Sequence, residues 1–164
     1  MRTLTSAEFN RYSIAVHDFE QAIKLAEESL LHSPDSLAKE ALLFMAVVVY
    51  YRPFSPNERG GGTGDAVSKL AIDDFAPLSK EELALHDLCK SLRNRALAHA
   101  EFAYFPTSHD PESGVISGKR FSLVSLTVGS QSGHGAFDVE SFCRLAFKLA
   151  AHCHTVRANH VLRN

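Results

Sequence analysis

TSAEFNRYSIAVHDFEQAIKLAEESL, residues 5–30, decides the fold class. Thr5 and Glu8 stand three apart, the pattern of a capping box, in which a hydroxyl and a carboxylate satisfy the free amides at a helix start. Behind them Phe9, Tyr12, Val16, Phe19, Ile23, Ala26 and Leu30 recur at steps of 3 and 4. That stepping lays one apolar stripe along a long helix, with Asp18, Glu20, Lys24, Glu27 and Glu28 largely off it.

Three more segments carry a helical pattern. Ser33-Pro34 predicts a second start, because proline in the first turn loses no hydrogen bond. Leu37, Ala41, Phe44, Val48 and Tyr51 form its expected stripe, while Leu42, Leu43, Met45, Val47 and Val49 fill the other faces. A helix apolar on nearly every side is central or contributes to an oligomer interface. Pro53 ends it, and 52–77 reads as a loop with a glycine cluster at 60–64 and a short helical turn near 67–70. Ser79 with Glu82 opens a third helix on Leu85, Leu88, Leu92 and Ala96, running to about His99. Asp138 caps a fourth on Val139, Phe142, Ala146, Leu149, Cys153 and Val156. Between the last two, 102–105 and 121–128 are β-prone and flank a turn cluster at 110–114. The expectation is one all-α domain over 1–164. Its architecture is a four-helix up-down bundle with a β-hairpin insertion, about 102–135, between helices 3 and 4.

Composition narrows the class of function. Apolar residues make up 45% and charged residues 22%, enough to bury a core and too apolar for disorder. Seventeen Lys+Arg against nineteen Asp+Glu give a net charge of -2, which excludes a globally basic nucleic-acid coat. Cys89, Cys143 and Cys153 are too few and too scattered for a disulfide scaffold, so a reducing cytoplasm is expected. The N-terminus lacks the apolar region of a signal peptide. The most apolar run, 41–51, falls short of the roughly 20 residues that span a bilayer, so no membrane partner is expected. The last helix is mildly basic, with Arg144, Lys148, Arg157 and Arg163 against Glu140; a solvated face explains this more readily than a phosphate contact.

The chemistry concentrates in LRNRALAHAE, residues 92–101. This stretch resembles the signature of the HEPN superfamily (higher eukaryotes and prokaryotes nucleotide-binding): an Arg, a polar residue directly after it, and a His a few residues on, at the end of a bundle helix. Arg93, Asn94 and His99 fill those places. The Ala98-His99 pair and Glu101 are also similar to branches of that family. The resemblance implies a metal-independent endoribonuclease of toxin or antiphage type. It acts as a homodimer whose two Arg/His motifs meet in one cleft, held in check by a protein antitoxin or inhibitor. It equally admits a non-catalytic relative that binds RNA, nucleotide or protein. No cofactor is implied.

Residue chemistry permits the catalytic reading on its own terms. RNA cleavage needs a base for the 2′-hydroxyl and an acid for the leaving 5′-oxygen, and imidazole serves either role near neutral pH. A guanidinium offers a permanently charged fork to the transition-state oxygens. One chain supplies one such His, and an isologous dimer supplies two. Arg93 and His99 are therefore the catalytic candidates, with Asn94 orienting them and Lys90 and Arg95 as substrate-binding cations. In a continuous α-helix Arg93 and His99 lie about 120° apart. The motif then needs either a break in the helix or a partner's His99. Arg95, at i,i+4, is the nearer intrahelical neighbour of His99. The bland alternative is a core-edge histidine beside a solvated arginine.

Other features carry less. The glycine cluster lacks the Gly-Lys-Ser/Thr of a phosphate loop and no strand precedes it. His152-Cys153-His154 diverge by about 100° per residue on a helix and cannot close on one ion, so no metal is expected. His17, His32, His86, His109 and His134 have no partner at a diagnostic spacing, and Cys89 reads as packing.

Overall fold

A computed structural model of the chain describes residues 4–34, 36–55, 69–75, 77–97, 107–113, 116–118 and 137–162. Among these the chain is predominantly helical. Helices α1 (Ser6–Ser29), α2 (Leu37–Tyr51), α3 (Lys80–Ser91) and α4 (Val139–Val161) form an all-α bundle. None of them is long and apolar enough to cross a membrane.

The start signals of α1, α3 and α4 act as their residue types dictate. Thr5 accepts from the Glu8 amide at 3.2 Å while Glu8 accepts from the Thr5 amide at 2.9 Å, a reciprocal capping box. Ser79 and Glu82 repeat it on α3 at 3.2 and 2.7 Å. Asp138 accepts from the Glu140 amide at 3.0 Å. The start of α2 departs from expectation. Ser33-Pro34 opens a turn, closed by the Ser36 amide on the Ser33 carbonyl at 3.0 Å, and Ser36 is the true cap, accepting from Ala38 at 3.2 Å.

Packing selects the faces. Along α1, Val16, Phe19 and Ala26 are buried as the stripe predicts, and Leu30, at the C-cap, is exposed. On α2 the expected stripe is rotated. Leu37 is 65% exposed and Ala41 is also exposed, while Leu43, Ala46, Val47 and Tyr50 face the core. A segment apolar all round contains several competing i, i+3, i+4, i+7 sets, and only its neighbours choose among them.

Helix α1 is the central element. It runs against α2, with Phe19 near Tyr50 at 5.7 Å between ring centroids. It also runs antiparallel to α4: Phe9 meets the His160 ring at 5.1 Å, and further along Glu20 meets His154 at 3.2 Å. Two charged residues of α1 are buried with it. Arg11 donates from Nη2 to the carbonyls of Arg52, Pro53 and Ser55 at 3.0, 2.7 and 3.0 Å. These are the carbonyls where α2 passes into a 3-10 turn (Arg52–Phe54) and cannot continue past Pro53. Asp18, expected off the core stripe, is only 4% exposed and lies 3.6 Å from Arg52. Burial raises its carboxyl above the ordinary value and Arg52 opposes that rise. Leu70 returns to the same place, its amide on the Pro53 carbonyl at 2.8 Å, and a second 3-10 turn (Ile72–Asp74) follows it. The helical turn expected near 67–70 lies mostly outside the described residues.

Between α3 and α4 the described residues include a short antiparallel ladder, β1 (Thr107–His109) on β2 (Ile116–Gly118), with Ser108 opposite Ser117. Asp110 turns the chain by accepting from the Glu112 amide at 3.0 Å. Three residues a side do not amount to the insertion expected over about 102–135. Its predicted strands, 102–105 and 121–128, lie outside the described residues. The all-α class rests on the four helices.

Phe19 sits where the layers meet, fully buried against Tyr50, Phe54 and Phe75. Phe19→Ala leaves a cavity that these rings cannot refill, and the expected loss is about 3–5 kcal/mol of unfolding free energy, read from urea denaturation. A loss below about 1 kcal/mol, far under the range for a buried phenylalanine, would mean that α1 is not anchored through this ring.

Candidate functional site at the end of helix 3

Helix α3 leads into the motif, and few interactions hold it. At its start, Glu82 serves two roles: it caps its own helix and accepts from Lys148 Nζ of α4 at 3.0 and 2.8 Å. The Lys148 contact, with the cap, holds the Glu82 carboxyl below its usual range. In its middle, His86 is buried, its Nδ1 3.1 Å from the Tyr50 hydroxyl. The imidazole stands in an aromatic box, with Phe54 at 4.6 Å and Tyr51 at 5.5 Å between ring centroids. Burial lowers its pKa to about 4, so it is neutral at physiological pH. Burial likewise pushes the Tyr50 phenol well up, so the pair shares a hydrogen bond between neutral groups. Cys89, one turn on, is fully buried with its thiol raised by burial, which agrees with a packing role.

The α-helix ends at Ser91, and the Leu92 amide still donates to the Leu88 and Cys89 carbonyls. From Leu92 to Leu97 the backbone is π-helical, so the sequence LRNRAL leaves the regular α repeat where the motif begins. Such turns are rare and recur at functional sites. The expected uninterrupted α-helix is thereby corrected over 92–97. Leu92 is fully buried and anchors the turn, while Arg93 and Asn94 are half-buried. Arg93 Nη1 donates to Asn94 Oδ1 at 2.9 Å. Asn94 thus fixes one edge of the guanidinium, and its other donors have no hydrogen-bond partner among the described residues. Among the described residues Arg93 makes no ion pair with a carboxylate.

The remaining sequence candidates divide. Lys90 is exposed near the end of α3. The backbone of Arg95 lies in the π-helical turn. His99 lies outside the described residues. The glycine cluster at 60–64 also lies outside them. His152, Cys153 and His154 turn to different neighbours: His152 to the Phe75 ring at 5.0 Å, Cys153 into the core, His154 to Glu20. Among the described residues no three His, Cys, Asp or Glu side chains converge to hold a metal.

Two residues around the motif escaped the sequence reading. His86 was without a partner at any diagnostic spacing, yet it bonds Tyr50, thirty-six residues away. Tyr51 was assigned to an apolar stripe, yet its phenol lies within electrostatic reach of Arg93 and Asp87.

A cleft of about 590 Å3 opens between the start of α3 and α4, floored by Leu78, Leu85 and Leu145. Its cations are already paired, Lys148 with Glu82 and Arg144 with Glu140 at 2.6 Å. Arg93 is eleven residues beyond Glu82, about 16 Å along the helix, so the cleft and the motif are separate.

Comparison with protein-family models, with curated proteins and with solved structures finds no match to this chain.

The buried imidazole makes stability depend on acid. The unfolded chain takes up a proton near pH 6.5 and the folded His86 only near pH 4, so this group's contribution is intact above 6.5 and is lost as pH falls towards 4. The expected loss across that window is on the order of 3 kcal/mol. Urea denaturation of wild type and His86→Gln at pH 7 and pH 4 isolates it, and an equal pH slope in both proteins would refute the assignment.

Proposed function

We propose that the chain is a HEPN-like, metal-independent endoribonuclease of toxin or antiphage type, with a composite site at a homodimer interface. The bond from Arg93 to Asn94, inside a π-helical turn at the end of α3, is the observation that carries this reading. It supplies a guanidinium of set orientation, unpaired with any carboxylate among the described residues, just beyond a helix whose middle is buried.

In this reading Arg93 holds the non-bridging oxygens of the scissile phosphate through its uncommitted N–H groups and stabilises the charge they gain. His99 takes the 2′-hydroxyl proton, and the partner's His99 protonates the leaving 5′-oxygen, so that one symmetric cleft holds both base and acid. Asn94 acts through Arg93 by restricting its rotation. Lys90 and Arg95 extend the cationic edge along the RNA strand. The chemistry needs neither metal nor cofactor, because imidazole and guanidinium supply every charge and proton. The bundle is up-down. The protein works in the cytoplasm, and a protein antitoxin or inhibitor restrains it. A relative of this kind without catalysis, binding RNA, nucleotide or protein, would keep the Arg93–Asn94 unit and lose the need for His99.

The experiment is cleavage of RNA in EDTA. Wild type is expected to cut, and His99→Ala to lose at least about 100-fold in rate with its melting temperature unchanged. Arg93→Gln should lose a similar factor, and Asn94→Ala a smaller one, since Arg93 keeps its charge and loses only its orientation. Intact RNA in all four reactions at micromolar protein sinks the enzymatic reading.

A further inference from the structure

Helix α2 has two apolar faces, and the bundle buries only one of them. Leu43, Ala46, Val47 and Tyr50 face the core. On the opposite side Ala38, Ala41, Met45, Val48 and Arg52 recur at steps of 3, 4, 3 and 4, the a/d repeat of a coiled-coil seam. Ala38 and Ala41 are exposed, Met45 is 47% exposed and Val48 is half-buried. No charged residue stands between Glu40 and Arg52. A solvated helix face carries polar side chains, and this one has none before Arg52, so it is suited to contact with another surface.

The shape of the seam selects that surface. Its first half is small, Ala38 and Ala41, and its second half is large, Met45 and Val48. A second copy laid antiparallel on it, about a twofold axis level with Leu43, sets Ala38 opposite the partner's Val48 and Ala41 opposite the partner's Met45. The symmetry repeats both pairs, so every large side chain falls on a small one. Parallel pairing would set large on large and leave alanine on alanine. The antiparallel register also leaves Arg52 beyond the start of the partner helix, at the rim, where it keeps its place 3.6 Å from Asp18. The two helix dipoles then oppose, which is favourable. Helix α2 is also an element on which the π-helical turn packs. Pairing through α2 therefore carries both Arg93-bearing turns to within about one helix diameter of the seam.

We propose that the outer face of α2 is a homodimer interface, an antiparallel seam of two α2 helices centred near Leu43, whose occupant is a second copy of this chain. The inference rests on the homodimer reading above and deepens it by naming the surface that pairs. Burial of Ala41, Met45 and Val48 drives the association, and the small-on-large register sets its direction.

The experiment is sedimentation equilibrium of the full chain, wild type against Ala41→Glu, Met45→Lys and the two substitutions combined. Both positions are on the solvent side of the monomer, so circular dichroism is expected to show each variant folded. Wild type is expected to dimerise at micromolar protein. Each single variant places two unpaired charges in the seam, and its dimer dissociation constant is expected to rise at least about 100-fold. An equimolar mixture of the two single variants is expected to dimerise again. In the antiparallel register one chain's introduced carboxylate meets the other's introduced ammonium, while the second pair of positions stays native. The combined variant should recover in the same way. In a parallel pairing positions 41 and 45 never face each other, so the mixture would stay monomeric. A monomeric wild type, single variants that associate as wild type does, or a mixture without recovery each overturns the proposal. RNA cleavage is followed in the same samples. The expected association pattern without cleavage by wild type retains the α2 seam and removes the ribonuclease reading. A wild-type dimer that cuts, with single variants that still dimerise and cut equally well, retains the ribonuclease reading and removes the seam.

Discussion

The hydrogen bond between Tyr50 and His86 is the joint on which the placement of the candidate site depends. Helix α3 touches the rest of the bundle sparingly: Glu82 meets Lys148 at its start, and Leu88, Cys89 and Leu92 reach the core beyond its middle. Between them stands a buried imidazole that shares one hydrogen bond with a buried phenol. Either tautomer can form it, with the phenol donating to a bare Nδ1 or the Nδ1–H donating to the phenol oxygen. Breaking the bond strands a polar atom in an aromatic box, which is far more costly than an apolar pair of the same shape would be. The register of α3 against α2 is set by that penalty.

Tyr50 is also where the layers converge. Its ring meets Phe19 of α1, Phe54 of the following 3-10 turn and Phe142 of α4 at 5.2–5.9 Å between centroids. Helix α1 holds the same region from the other side, where Arg11 donates to the carbonyls of Arg52, Pro53 and Ser55 around the Pro53 turn. A charged side chain is tolerated in that interior because each carbonyl offers a charge-assisted hydrogen bond. The end of α2 is thus pinned twice, and α2 packs against the π-helical turn that follows α3.

The electrostatics of the motif follow from this arrangement. The molecule as a whole is slightly acidic, so any affinity for an anionic strand must be local. Arg93 is half-buried, where its charge is less screened than on an open surface. Asn94 takes one of its donors and fixes its plane. A regular α-helix would have placed the residues from 92 onward at 100° steps from the buried Leu88 face; the π turn changes that phase while keeping Leu92 in the core.

Amphipathic stepping and the chemistry of caps determined a great deal from sequence alone. The three box or Asp caps, the all-α class, and the core of α1 and α4 all follow from local patterns, because a stripe on one face of a helix can only be buried one way. The Arg93–Asn94 unit was also legible, since adjacent residues need no fold to meet. Tertiary structure decided what local pattern left degenerate. The apolar α2 segment had several equivalent faces, and packing against α1 chose the one through Leu43, Val47 and Tyr50. Ser36 rather than Ser33 caps that helix, because Pro34 with Ser33 closes a turn first. Asp18 went inside for the sake of Arg52, and His86 for Tyr50. Those pairings join residues dozens of positions apart, and no periodicity encodes them, because periodicity records which side of an element is apolar and not what stands opposite it.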